Sequence, residues 1–138
     1  MADGNEWPDN PCFVCGNQNP YGMHVHFAYQ AERHQVSAEV TLSDKWQGFQ
    51  GIVHGGILAG LMDDAMWHVL WQETHLVTMT ADLRVRYHKP VKIHIPVRIT
   101  GTMVEADRRL IKASARVEQH DQVVAVSEGV FLRVKTLQ

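Results

Sequence analysis

The sequence lacks several features that would assign the protein to a class directly. It has two cysteines in 138 residues, too few for a disulfide scaffold. Its formal net charge of -2 shows neither the basic excess of a nucleic-acid binder nor an acidic tail. The N-terminus lacks a signal-peptide pattern, and the apolar run at residues 57–62 is far too short for a bilayer. We expect a reduced, cytoplasmic protein with no nucleic-acid or membrane partner.

Several catalytic signatures are absent as well. The sequence has no Gly-x-Ser-x-Gly elbow, so a serine hydrolase is unsupported. It has no phosphate-binding P-loop and no dinucleotide fingerprint. We therefore predict no cofactor.

The pattern that is present alternates between apolar and polar residues, which predicts half-buried strands. An irregular segment, residues 1–22, precedes one predicted domain over residues 23–138, a length typical of a single domain. The predicted strands cover residues 23–30, 35–42, 77–88, 95–105, 110–118 and 123–134. The connections are mostly too short for crossovers, which favours an antiparallel sheet.

One helix is predicted, from Ile57 to Trp71. It is apolar almost all round, and a helix that is apolar on every side is typically buried. The simplest packing is an α+β fold in which a curved antiparallel sheet wraps this helix.

Two acidic residues, Asp63 and Asp64, interrupt the apolar helix. Asp64 lies four residues before His68, so an i,i+4 pair is available to it. Nothing nearby in the sequence neutralises Asp63. A poorly solvated carboxylate is a candidate base or nucleophile, and the alternative is a carboxylate that hydrogen-bonds elsewhere in the fold.

His54, Gly55 and Gly56 lie where a loop enters the helix. Free N–H groups at a helix N-terminus can hold a developing oxyanion, although a plain tight turn explains two glycines equally well. His54 either caps the loop or polarises a carbonyl. Asp63 lies seven residues beyond Gly56, about 10 Å along a helix, too far to share one reacting carbon. If both act in one site, Asp63 comes from a second copy of the chain.

The segment His54-Gly55-Gly56, followed by Asp63, resembles the hotdog-fold acyl-CoA thioesterase superfamily in its phenylacetate-pathway-like branch. Residues 80–90 and 12–22 resemble further segments of that family. The resemblance implies a hydrolase that acts as a homodimer or homotetramer, with sites between subunits. It also implies that Asp63 activates water or attacks the thioester carbonyl.

The same resemblance implies the remaining roles. The backbone at residues 55–56 receives the thioester oxygen, through the Gly56 N–H, and Thr80 helps to position water. Strict alternation nevertheless places Thr80 on the polar face of its strand. Many relatives carry an asparagine where this chain has Gly48, and Gln47 or Gln50 is a possible substitute.

Acyl-CoA is the expected substrate, and other polar side chains are candidates for binding it. Arg84 and Arg86 are suited to its phosphates, and Asp64 is a further candidate for substrate contact. Two other functions remain open: a non-catalytic acyl-CoA-binding hotdog protein and a hotdog dehydratase. The position of Asp63 disfavours the dehydratase.

Cys12 and Cys15 have a spacing found in zinc sites. The partners considered from sequence are His24 and His26, which share one exposed strand face. Because no second cysteine pair exists, the sequence favours a turn with two reduced thiols, and we predict no metal.

Overall fold

The computed structural model describes residues 9–134 and consists of one long helix against one sheet. The strands are β1 (Ala28–Gln30), β2 (Gln35–Val40), β3 (Thr78–Tyr87), β4 (Val97–Ala106), β5 (Leu110–Gln119) and β6 (Gln122–Arg133), and the helix is α1 (Gly55–Thr74). Two short 3-10 turns, Ala31–Arg33 and Asp44–Trp46, complete the set. All strand pairs are antiparallel, in the order β1-β2-β4-β5-β6-β3. The predicted α+β architecture is confirmed.

Helix α1 supplies the centre of the core. Its fully buried side chains recur at helical spacing and face the sheet: Leu58, Leu61, Met62, Ala65, Met66, Val69 and Leu70. Burial of one large apolar side chain, such as leucine or methionine, contributes about 1.5–3 kcal/mol to the stability of the fold. Gly101 of β4 lets the helix approach closely, because a Cβ there would lie 2.6 Å from the Ala65 carbonyl oxygen. Within residues 9–134, no helix is both long and apolar enough to cross a bilayer.

The helix is longer than predicted at both ends. It begins at Gly55 because the His54 side chain caps it, and it ends at Thr74. The next residue, His75, adopts a left-handed conformation, and its N–H donates to the Trp71 carbonyl oxygen at 2.8 Å. A capped helix can include residues, such as the two glycines, that hydrophobic periodicity alone leaves out.

The first predicted strand is largely wrong, since only its last three residues pair in the sheet. The predicted alternation does persist: Val25 and Phe27 are buried while His24 and His26 are exposed. His24 has a positive φ of 53°, which breaks the extended backbone.

The residues before β1 lie against the helix instead of extending the sheet. Within the described part of the predicted irregular segment, residues 9–22 contain neither helix nor strand; residues 1–8 and 135–138 lie outside the described residues. Val14 is buried, and the Phe13 ring lies beside Gly60 of α1, where an added Cβ would be 3.1 Å from it. The Met23 N–H donates to the Phe13 carbonyl oxygen at 2.7 Å, which folds the segment back on itself.

A β-bulge in β3 determines which of its side chains face the helix. Thr80 pairs with Phe131 and Asp82 pairs with Val130, so Ala81 between them is an extra residue in the ladder. Phe131 is fully buried, and directly paired residues share a face, so Thr80 also faces the helix. The prediction that Thr80 lies on the polar face is wrong, because strict alternation fails at a bulge.

Strand β3 forms one edge of the sheet and β1 forms the other. With ten residues, β3 is the longer edge, and within the described chain it pairs only with β6. An unpaired strand edge exposes backbone donors and acceptors to another chain.

Candidate active site

Asp63 and Thr80 meet within one chain. Asp63 lies in the middle of α1 and is half-buried, and the Thr80 hydroxyl donates to its Oδ1 at 2.6 Å. The bulge brings this hydroxyl to the inner face of β3, as described above. A carboxylate in the middle of an apolar helix therefore has one directed donor and remains accessible to a ligand.

The environment of Asp63 makes its carboxylate more basic than that of an ordinary aspartate. Burial raises the pKa of Asp63 above its ordinary value, the Thr80 hydrogen bond opposes that increase, and the charge of Asp64 adds to it. A carboxylate with a raised pKa is a stronger base than an ordinary aspartate. This balance is typical of a group that must be ionised and still accept a proton.

The start of α1 provides backbone donors. The Gly56 N–H donates to His54 Nδ1 at 2.8 Å, so His54 is the N-cap of the helix and this donor is already used. The N–H of the preceding residue, Gly55, has no acceptor within residues 9–134. The positive end of the helix dipole lies here. The free donor for an incoming oxygen is thus at Gly55.

Tyr87 is a residue at this end of the site that the sequence reasoning did not select. Its hydroxyl donates to the Gly55 carbonyl oxygen at 2.6 Å, and its ring lies 3.4 Å from the position of a Cβ on Gly55. Tyr87 remains 51% exposed, so a ligand could contact the same ring. The available signal was its place on the apolar face of β3.

The two parts of the site are separated within one chain. Eight residues along α1, about 12 Å, divide Gly55 from Asp63. Tyr87 contacts the first and Thr80 contacts the second, and these two residues are also well apart on β3, seven positions along the strand. One chain therefore holds a free backbone donor and a carboxylate that do not meet.

Beside Gly55 there is a small apolar cleft. Its volume is about 360 Å³, and its lining residues come from the loop before the helix: Gly48, Phe49, Ile52, Val53, His54 and Gly55. The Phe49 ring is 86% exposed at its mouth. The cleft is suited to an apolar group next to the free Gly55 N–H.

Three of the predicted substrate-binding residues lie apart from Asp63. Gln50 is exposed in the loop before α1. Arg84 and Arg86 are exposed, and they lie on the face of β3 turned away from the helix. The structure brings none of the three into contact with Asp63 within this chain.

Asp64, the fourth of those residues, also points away from Asp63. Its Oδ2 lies 3.4 Å from His68 Nε2, which is the predicted i,i+4 pair, and its Oδ1 lies 3.8 Å from Cys12 Sγ. A hydrogen bond from Cys15 lowers the pKa of Cys12 to about 6, and the same contact raises the pKa of Cys15. Asp64 therefore belongs to a second polar cluster.

Comparison with protein families identifies the class. The family model of the thioesterase superfamily matches residues 50–126, more than half of the chain, and this protein belongs to that superfamily. The matched range contains Asp63, Thr80 and both ends of the site described above. A crystal structure of a thioesterase superfamily protein is 32% identical with a TM-score of 0.80, covering 90% of this chain and 63% of that one.

Curated relatives are more distant. Acyl-coenzyme A thioesterase THEM4 of Mus musculus is 28% identical over 89 residues, which span 64% of this chain and 38% of the mouse protein. The chain thus matches well under half the length of that relative. The structure of smu.793 from Streptococcus mutans, bound to acetyl CoA, shares the fold with a TM-score of 0.73 at 20% identity, covering 83% of this chain and 91% of that chain.

Proposed function

We propose that the protein hydrolyses an acyl-CoA thioester to a free acid and coenzyme A, with Asp63 as the catalytic carboxylate. The observation that carries this proposal is the half-buried Asp63 carboxylate, oriented by the Thr80 hydroxyl at 2.6 Å. Membership of the thioesterase superfamily supports the reaction class. A relative named as an acyl-coenzyme A thioesterase and a structural neighbour that binds acetyl CoA support the substrate class.

The reaction needs a nucleophile and a place for negative charge. Asp63 either removes a proton from water as the water attacks the carbonyl carbon, or attacks that carbon itself to form an anhydride that water then opens. In both routes the C–S bond breaks, and the thiolate of coenzyme A leaves and takes up a proton. Between the attack and the departure of the thiolate, the carbonyl oxygen of the thioester carries negative charge. It therefore needs a hydrogen-bond donor.

The Gly55 N–H is the donor that we assign to this oxygen. The resemblance suggested the Gly56 N–H, but that group donates to His54 Nδ1 in the cap. The Gly55 N–H has no acceptor within residues 9–134, and it lies at the positive end of α1. The acyl group would then enter the cleft beside Gly55, next to Phe49.

A complete site requires two copies of the chain. Strand β3 has a free edge, and in an antiparallel pair of β3 strands related by a two-fold axis near Arg84, Thr80 of one copy lies near Tyr87 of the other. That arrangement would bring Asp63 of one subunit to Gly55 of the second. We propose that the working unit is at least a homodimer.

The first test is thiol release from a panel of short, medium, long and aryl acyl-CoA thioesters. Asp63→Asn should lose at least 100-fold in kcat/KM while it stays folded and oligomeric, because it keeps the shape and loses the basic oxygen. Asp121→Asn is the matched control, since Asp121 is an exposed aspartate in the turn between β5 and β6, away from the β3 edge. Tight binding of acyl-CoA without turnover by the native protein would support the non-catalytic alternative instead.

The shared site has its own test. Asp63→Asn is expected to be inactive as a pure dimer, and so is Gly55→Val, whose side chain would keep the N–H but occupy the space between it and the Tyr87 ring. Mixed dimers contain one site with both residues intact, so random mixing should restore about a quarter of native activity. Failure to regain activity in verified mixed dimers would argue that each chain carries a whole site.

A further inference from the structure

A cluster of three metal-binding side chains, with His68 beside it, joins the N-terminal segment to α1. The Sγ atoms of Cys12 and Cys15 and a carboxylate oxygen of Asp64 all lie within 4.8 Å of one another. All three residues are half-buried, and His68 lies beside Asp64. The thiols come from a loop and the other two side chains from the middle of the helix.

We propose that Cys12, Cys15 and Asp64 bind one Zn²⁺ ion that fastens the N-terminal segment to the helix, and that the neighbouring His68 turns toward the ion as its fourth ligand. Two thiolates, one carboxylate and one imidazole form a set that zinc accepts, and the sulfur ligands exclude magnesium and calcium. Four protein ligands would close the coordination sphere, which is typical of a structural site.

The distance between the Cys12 sulfur and the Asp64 carboxylate fits two ligands of a shared ion. The Cys12 thiol donates to Asp64 Oδ1, with 3.8 Å between sulfur and oxygen. Tetrahedral zinc with bonds of about 2.3 Å to sulfur and 2.0–2.2 Å to oxygen separates those two ligands by about 3.5–3.7 Å. A nitrogen and an oxygen ligand are separated by about 3.3 Å on the same geometry. His68 Nε2 lies 3.4 Å from Asp64 Oδ2, the other oxygen of the same carboxylate, so one ion would be held either by both oxygens or after a rotation of the carboxylate.

Two polar atoms of the cluster are buried without a hydrogen-bond partner in the described chain. They are Asp64 Oδ2 and His68 Nε2. These two atoms lie 3.4 Å apart, but their angles are not those of a hydrogen bond. The side chains of both residues are at most 14% exposed. Buried polar atoms without partners are rare, and an ion that both atoms ligate would satisfy them.

The turn that holds the thiols is well defined. The Gly16 N–H donates to the Cys12 carbonyl oxygen at 2.9 Å, and the Cys12 N–H donates to Asn10 Oδ1 at 2.9 Å. Gly16 leaves no room for a side chain, because a Cβ would lie 2.1 Å from the Asn10 carbonyl oxygen. Both thiols are therefore held near Asp64 by the backbone.

This assignment replaces the partners considered from sequence. His24 and His26 are exposed, and neither is in the cluster of metal-binding groups found within residues 9–134. The fold brings the thiols to the helix, where the i,i+4 spacing of Asp64 and His68 presents two ligands on one side. The contact could not be predicted from the sequence, because the thiols and the helix residues are far apart along the chain.

The test uses the full chain purified under reducing conditions. Elemental analysis should give about one zinc per chain after dialysis. Replacement by Co²⁺ should give the visible d–d bands and the thiolate-to-cobalt charge-transfer band of a tetrahedral site. Cys12→Ser, Cys15→Ser and Asp64→Asn should each weaken binding by more than about 100-fold, and His68→Gln should do so less strongly. His26→Gln should retain the metal.

A second measurement keeps the proposal testable where a variant folds poorly. Native protein stripped with a chelator should gain thermal stability when Zn²⁺ is added back, because the ion binds the folded chain. Absence of metal from native protein, with no stabilisation by added zinc, would overturn the proposal. A native mass lower by two hydrogens, which indicates a Cys12–Cys15 disulfide, would also overturn it.

Discussion

Replacing Thr80 by valine tests how Asp63 is held. The change removes the hydroxyl that donates to Asp63 Oδ1 at 2.6 Å and keeps a β-branched side chain of the same size. A hydrogen bond to a charged group contributes about 1.5–3 kcal/mol, and the exposure of Thr80 favours the lower end. About 1.5 kcal/mol corresponds to roughly a tenfold loss in kcat/KM.

For the same variant we also expect a change in the pH dependence of activity. Burial raises the pKa of Asp63 and the Thr80 hydrogen bond lowers it, so removal of that bond should raise the pKa further. Because the ionised carboxylate is the active form, activity rises with pH, and the inflection of Thr80→Val should move to higher pH. The loss of activity should therefore be greater in acid than on the alkaline plateau.

The assay is kcat/KM for the best acyl-CoA of the panel, measured from about pH 4 to pH 8. Thr80→Ser is the matched control, since it keeps the hydroxyl and should keep the native inflection. If Thr80→Val matched the native protein in both rate and inflection, the hydrogen bond seen here would not act on the catalytic carboxylate. An inflection shifted to lower pH would contradict the sign of the argument.

Three further changes have defined outcomes. Gly101→Ala should destabilise the fold by about 1–3 kcal/mol in denaturant titration, because its Cβ would meet the Ala65 carbonyl oxygen at 2.6 Å. Tyr87→Phe removes the donor to the Gly55 carbonyl oxygen but keeps the ring, so kcat should fall several-fold while thermal stability stays near native. Asp63→Asn should be at least as thermally stable as the native chain at pH 7, since burial disfavours the carboxylate that it removes.

Much of the fold could be predicted because periodicity reports burial. The alternation from Val36 to Leu42 gave the correct inward face, and the apolar run after Ile57 gave the central helix. The ends of elements depend on single side chains, such as the cap at His54 and the left-handed His75, which a hydrophobic pattern does not register. This is why the helix was predicted too short.

The site was predictable only in part. Asp63 was selected from its sequence position, because a carboxylate in an apolar helix is energetically unfavourable unless it is paired or has a function. Its partner Thr80 was assigned to the wrong face, since nothing in the residues around Ala81 announces a bulge. The cluster around Cys12 required the N-terminal segment to lie on α1, which is a tertiary contact between residues 52 positions apart.

The adjacent aspartates of α1 show how the helix serves both features. Successive residues of a helix point about 100° apart, so Asp63 and Asp64 cannot face the same partner. One faces β3, where Thr80 donates to it, and the other faces the turn at Cys12. Rotation of α1 about its axis would have to break both contacts together. Each contact therefore limits movement at the other, and an ion bound at Asp64 would help to fix the direction of the Asp63 carboxylate.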